Sequence, residues 1–228
     1  MPCDFPSRAE LVAFLDRFDQ QTPYLKIGME LFYGEGPDIV REVKARGHNV
    51  FLDLKLHDIP NTVHRAMKNI ARLGVDMVNL HAAGGSAMMR AALEGLEEGA
   101  AGTRPQLIAV TMLTSIGQEA MNGELLIPGV LDEVVASYAT NAQGSGLDGV
   151  VCSPLEVPLV KEWCGPEFIT VTPGIRYPAS AGDDQARVTT PAEAARIGSD
   201  YIVVGRPITA AGDPVAAYQK VLAEFSGG

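Results

Sequence analysis

Apolar runs recur along the chain: YLKIG from 24, NVFLDLK from 49, MVNLHA from 77, QLIAVTML from 106, GVVCS from 149, FITVTPG from 168 and YIVVG from 201. Each is short and rich in β-branched and aliphatic residues, which predicts strands. Between them, residues 7–20, 37–46, 60–73, 85–98, 130–144, 154–164, 191–197 and 213–225 carry apolar side chains at helical spacing and predict amphipathic helices. Strand and helix therefore alternate throughout. The opening MPCDF reads as the remnant of one more strand, giving eight βα units over 1–228. The predicted fold is α/β, a single-domain (β/α)8 TIM barrel. Strands apolar on both faces suit a sheet covered outside and filled inside. A doubly wound open sheet has the same local pattern and ranks second, because no Gly-rich dinucleotide fingerprint follows the first strand.

Composition narrows the function. An apolar content of 46% over 228 residues supports a sizeable core. Eighteen basic against 28 acidic residues, a formal charge of -10, argue against a nucleic-acid surface, which needs a basic face. Cys3, Cys152 and Cys164 are widely spaced and odd in number, so neither a disulfide framework nor a metal-ligand pattern is expected. No run reaches the ~18 apolar residues of a membrane span. The N-terminus lacks the features of a signal peptide, and the cytoplasm is the expected compartment. Residues 176–190, RYPASAGDDQARVTT, are polar and too long for a tight βα turn; they read as a lid over a site or as a solvated loop.

In such a barrel, chemistry sits at the C-terminal ends of the strands. Polar residues gather there: Asp4, Lys26, Asp53, Lys55, His81, Thr111, Thr114, Ser153, Thr172, Arg176, Gly205 and Arg206. Within FLDLKLHD, Asp53 and Lys55 share one parity and Leu52, Leu54 and Leu56 the other, so the charges lie on one face of the predicted strand. The neighbouring carboxylate favours the ammonium form of Lys55, which suits a proton donor and not a Schiff-base amine. Lys26, Asp53, Lys55 and Asp58 together are more desolvated charge than a structural ion pair requires. VVGRPIT at 203–209 offers backbone N–H groups at Gly205, the Arg206 guanidinium and a following helix, a pattern that suits a phosphate.

Taken together and in order, LKIGMELF, FLDLKLHDIPNT, VTMLTS, TPGIR, DDQARV and VVGRPIT closely resemble the bacterial-type orotidine 5'-phosphate decarboxylase family over nearly the whole chain. The resemblance implies conversion of orotidine 5'-monophosphate to uridine 5'-monophosphate and carbon dioxide, without metal or organic cofactor. It implies Lys55 as proton donor to C6, with Lys26, Asp53 and Asp58 completing the charged network. It implies a homodimer in which Asp58 is lent to the partner's site. Asp4 is similar to the family's ribose contact, Thr114 to a residue near the pyrimidine, and Gln185, Arg206 and Gly205 to its phosphate grip. Arg176 is similar to a ligand-side residue at the start of the lid, and Ile59 and Thr62 join the substrate-binding set. Only Met1, Pro2 and Cys3 precede Asp4, fewer than family members usually carry, so a truncated first strand is expected.

His57, inside the same motif, is expected to make a structural hydrogen bond. His48 and His64 are expected at the surface, His81 either lining the site or satisfied in the core. Met88 and Met89 read as helix packing and Cys152 as a small buried apolar residue. Two competing functions remain. One is a magnesium-dependent sugar-phosphate decarboxylase or aldolase of the same barrel group, whose metal-binding Glu stands where this chain has Lys26. The other is a catalytically dead nucleotide-binding barrel acting as a sensor.

Overall fold

The computed structural model describes residues 1–19, 21–177 and 189–227. The chain forms two compact units, Met1–Leu107 and Ile108–Gly228, and both alternate strand with helix. Each of the seven apolar runs holds a strand. The three described cysteines are buried and free of disulfides.

In the first unit, Ser7 caps α1 (Arg8–Leu15) by accepting the Glu10 N–H, and a 3-10 turn, Asp16–Phe18, extends it. β1 (Leu25–Gly28) leads into α2 (Met29–Glu35) and α3 (Asp38–Ala45), then β2 (Val50–Leu56), α4 (Pro60–Ala71), β3 (Met77–His81) and α5 (Gly85–Gly99). β1, β2 and β3 pair in parallel, with Gly28 opposite Asp53. The expected N-terminal strand survives as a single parallel bridge, Pro2 to Lys26, with Cys3 N–H donating to the Lys26 carbonyl at 2.9 Å.

Pro60 starts α4, where its missing N–H has no partner to lose. Val63, Met67, Ile70 and Ala71 form the buried face of α4, and Met88 and Met89 of α5 are buried as expected. The two helices approach closely because Gly95 and Gly99 have no side chain. A Cβ there would stand 2.2 Å from the backbone carbonyl oxygens of His64 and Lys68.

β4 (Gln106–Val110) carries the chain into the second unit. There follow α6 (Gln118–Gly123), α7 (Leu131–Gly144), β5 (Gly149–Val151), a 3-10 turn Pro154–Glu156, α8 (Val157–Cys164), β6 (Ile169–Thr172), α9 (Pro191–Ile197), β7 (Tyr201–Ile202), α10 (Arg206–Thr209) and α11 (Pro214–Ser226). β4 to β7 also pair in parallel, in chain order.

One device recurs in both units. A glycine at positive φ ends the turn and the second residue after it is an aspartate: Gly74 (φ 72) with Asp76, Gly198 (φ 96) with Asp200. Asp76 accepts the Val50 N–H and the Lys44 ammonium, both at 2.6 Å, pinning the start of β2 to α3. Asp200 accepts the Thr170 N–H and the Lys161 ammonium, both at 2.7 Å, pinning β6 to α8.

Candidate active site

The charged cluster lies within the first unit. β1 and β2 run side by side, which brings Lys26 to Asp53, and both lysines close on that carboxylate. Lys26 Nζ is 2.9 Å from Asp53 Oδ2 and Lys55 Nζ is 2.6 Å from Oδ1. Only 9% of the Asp53 side chain is exposed, so the pairs form in a poorly solvated setting where charge interactions are strong. Burial on its own would raise the Asp53 carboxyl pKa. The ammonium groups of Lys26 and Lys55 outweigh it and hold that pKa below its ordinary value.

The strand carrying the cluster is irregular. β2 holds Asp53, Leu54 and Lys55 between the pairs Leu52–Val78 and Leu56–Leu80, where β3 has Asn79 alone. Lys55 takes a left-handed backbone at φ 51, a sterically unfavourable conformation for a side chain of its size. Asn79, buried in β3, donates from Nδ2 to Asp53 Oδ1 at 2.7 Å and accepts the Lys55 N–H at 2.8 Å. Sequence reasoning missed this residue. The available signal was one amide in the middle of the apolar run MVNLHA.

Asp4 joins the cluster through Gly28. A Cβ built at Gly28 would stand 3.4 Å from Asp4 Oδ1 and 3.6 Å from Lys26 Nζ, so both groups flank the same glycine. A cleft of about 300 Å³ opens beside Lys55, lined also by Tyr33, His57, Asp58 and Thr62. Asp58 is exposed there and its Oδ1 accepts the Ile59 N–H at 2.6 Å, while Ile59 itself is 66% exposed.

Two histidines border this region. The His57 and His81 rings lie 5.8 Å apart, tilted by 37°. Burial, then the nearby His57 and Lys55, lowers the His81 pKa and favours its neutral form. His57 is exposed. His48 departs from expectation: it is buried, and its Nδ1 lies 3.0 Å from the Pro23 carbonyl oxygen, a partner supplied by tertiary packing. His64 is partly exposed and lies 3.3 Å from Glu98.

In the second unit, Thr114 follows β4 and is partly exposed. Arg176 donates from its backbone N–H to the Thr189 carbonyl at 3.0 Å and from Nη1 to the Ile175 carbonyl at 2.8 Å. Gly205 caps α10, and Arg206 opens that helix with an exposed side chain. Gln185 and most of the expected lid, 178–188, lie outside the described residues.

Three polar residues at strand ends have structural employment. The Thr111 hydroxyl donates to the Val151 carbonyl, the Thr172 hydroxyl to the Tyr201 carbonyl, and Ser153 caps the turn Pro154–Glu156 in a reciprocal bond with Glu156. All three are buried. Cys152 is fully buried as expected, and burial raises its thiol pKa.

Known proteins place this arrangement. An orotidine 5'-phosphate decarboxylase of Bacillus cytotoxicus is 56% identical over 226 residues, 98% of this chain and 95% of that protein. One from Geobacillus thermodenitrificans is 54% identical over 227 residues, 99% of this chain and 95% of that protein. Among solved structures, an uncharacterized conserved protein of Geobacillus kaustophilus superimposes with a TM-score of 0.89 at 49% identity, covering 98% of both chains. The orotidine 5'-phosphate decarboxylase of Lactobacillus acidophilus gives a TM-score of 0.88 at 43% identity, covering 98% of this chain and 96% of that one. Parallel strands alternating with helices, and a buried carboxylate held between two lysines, thus define an α/β enzyme of the carboxy-lyase class. The chain belongs to the orotidine 5'-phosphate decarboxylase / HUMPS family, whose profile matches residues 2–221.

Proposed function

We propose that this chain decarboxylates orotidine 5'-monophosphate to uridine 5'-monophosphate and carbon dioxide, the last step of pyrimidine nucleotide synthesis, with Lys55 delivering the proton to C6. The observation that carries the reading is the Lys26–Asp53–Lys55 array, two ammonium groups on one largely buried carboxylate. Loss of carbon dioxide from C6 leaves electron density on a vinyl carbon with no adjacent sink. A fixed ammonium stabilises that density before transferring its proton. Asp53, near the departing carboxylate, disfavours the charged ground state more than the transition state.

The remaining roles belong to the same proposal. Asp4 contacts the ribose, Thr114 lies near the pyrimidine, and Gln185, Arg206 and the Gly205 backbone take the phosphate, with Arg176 at the base of a lid over 176–190. Phosphate binding energy, gained away from the reacting carbon, is expressed in the transition state through that lid. The reading includes a closed, single-domain (β/α)8 barrel and a cytoplasmic homodimer in which Asp58 completes the partner's site, with Ile59 and Thr62 among the substrate contacts. The exposed setting of Asp58 and Ile59 supports it. No helix among the described residues is long and apolar enough to cross a membrane.

A magnesium-dependent sister activity is disfavoured by Lys26, whose ammonium already pairs with Asp53 and opposes a cation at that position. The decisive experiment follows absorbance as orotidine monophosphate is consumed by purified protein after exhaustive EDTA treatment. Turnover should persist. Activity that vanishes with EDTA and returns with magnesium would favour the sister reaction; tight binding of uridine monophosphate without turnover would favour the sensor.

A further inference from the structure

Asn79 stands opposite the bulge in β2, where a strand loses ladder hydrogen bonds. Its side chain supplies a bond at that irregularity, since Oδ1 accepts the Lys55 N–H at 2.8 Å. The other end of the amide donates to Asp53 Oδ1, the oxygen that also accepts the Lys55 ammonium at 2.6 Å. A three-residue ring results: Lys55 backbone to Asn79, Asn79 to Asp53, Asp53 to Lys55 side chain.

Only one orientation of the amide serves. A backbone N–H can only donate and an ionised carboxylate can only accept, so the flipped amide would oppose donor to donor and acceptor to acceptor. Asn79 is 1% exposed, which denies water the chance to substitute for either bond. Lys55 meanwhile holds an unfavourable left-handed backbone, a state that persists only where the surroundings enforce it.

We propose that Asn79 is a positioning residue for the decarboxylation: it fixes the Lys55 backbone and the Asp53 carboxylate together, so that the ammonium is held at one place relative to the reacting carbon. The inference rests on the assignment of Lys55 as proton donor. A bulge merely satisfied by Asn79 would affect stability alone. A positioning role affects the chemical step.

The test compares wild type, Asn79→Ala and Asn79→Asp as full chains. With Asn79→Ala, kcat for orotidine monophosphate should fall about 100-fold, the scale set by a small misplacement of a reacting group. KM and the affinity for uridine monophosphate should change less than about threefold, since binding contacts remain. Asn79→Asp carries the sharper signature. Ionised, it cannot donate to Asp53 and repels it; protonated, its hydroxyl donates to Asp53 while its carbonyl accepts the Lys55 N–H. Its kcat relative to wild type should therefore rise as pH is lowered from about 8 to about 5, because one proton shared between adjacent carboxyls titrates upward.

Should Asn79→Ala fail to fold, Asn79→Asp, which keeps the size and the Lys55 N–H acceptor, decides by its pH profile. A kcat for folded Asn79→Ala within about threefold of wild type, or an Asn79→Asp to wild-type ratio flat with pH, would overturn the inference. Wild-type protein that does not consume the substrate would instead overturn the underlying assignment of function.

Discussion

Lys26 and Lys55 hold opposite oxygens of one carboxylate, at 2.9 and 2.6 Å from Asp53 Oδ2 and Oδ1. Their positions are not equivalent. Lys26 stands on a regular parallel strand opposite Phe51, whereas Lys55 leaves a bulge at φ 51 and borders the open cleft. On the proposed function, Lys55 is the ammonium that meets the reacting carbon. Lys55→Ala should reduce kcat by about three orders of magnitude, within the range of a lost general acid. The circular dichroism spectrum and the binding of uridine monophosphate should survive. Activity within tenfold of wild type would remove Lys55 from the donor role.

The phosphate assignment predicts a different signature. Arg206 opens α10 with an exposed side chain and Gly205 caps it. Arg206→Ala should weaken capture of the nucleotide by about 2–3 kcal/mol, the scale of a charge-assisted contact, and leave the bare nucleoside nearly unaffected. The comparison is of kcat/KM for orotidine monophosphate against orotidine. Equal losses on both would place the phosphate elsewhere.

Composite sites predict complementation. Lys55→Ala and Asp58→Ala should each be inactive alone. A refolded equimolar mixture should recover about a quarter of the wild-type specific activity, since half of the dimers are mixed and one of their two sites is intact. Size-exclusion chromatography tests the dimer independently. A mixture as inactive as its components, at concentrations where the dimer forms, would put Asp58 in its own chain's site.

Much of this arrangement was legible in the sequence because it depends on local pattern. Seven apolar runs became strands, all but the two-residue β7 mostly buried, and the long amphipathic segments became helices. Helices α2, α6 and α10 were missed: α6 and α10 are too short to display a helical period, and α2 follows β1 with no intervening loop. Alternation placed Asp53 and Lys55 together, but it assumes a regular strand. The bulge that sets the Lys55 backbone depends on register against β3, and no local rule supplies that. The amide of Asn79 stands out in MVNLHA, but its place opposite the bulge depends on the same register. His48 was misplaced at the surface because its partner, the Pro23 carbonyl, is brought to it only by tertiary folding.

The paired aspartate devices carry a stability prediction. Asp200 accepts both the N–H and the hydroxyl of Thr170, at 2.7 and 2.9 Å, and Thr170 is fully buried. Asp200→Ala strands that N–H and should lower stability by about 2 kcal/mol, read from urea denaturation. Asp76→Ala strands the Val50 N–H and should act similarly. Neither aspartate has a role in the proposed reaction, so kcat at 25 °C should hold for the folded fraction.

Acid titration tests the electrostatics of the array itself. In the folded chain the Asp53 pKa lies below its ordinary 3.8, the value it regains on unfolding. A carboxyl depressed in the folded state contributes stability that is full above the unfolded value and is lost as pH falls through the folded one. Asp53→Asn never has that contribution, and at neutral pH it leaves Lys26 and Lys55 without their counter-charge, a loss of about 3–5 kcal/mol for a broken buried pair. The stability gap between wild type and Asp53→Asn should therefore be constant from pH 7 to pH 5 and narrow below about pH 4, where the unfolded chain begins to take up its proton. Chemical denaturation at each pH measures it. A gap that widens on acidification would mean that burial, and not the two ammonium groups, governs this carboxyl.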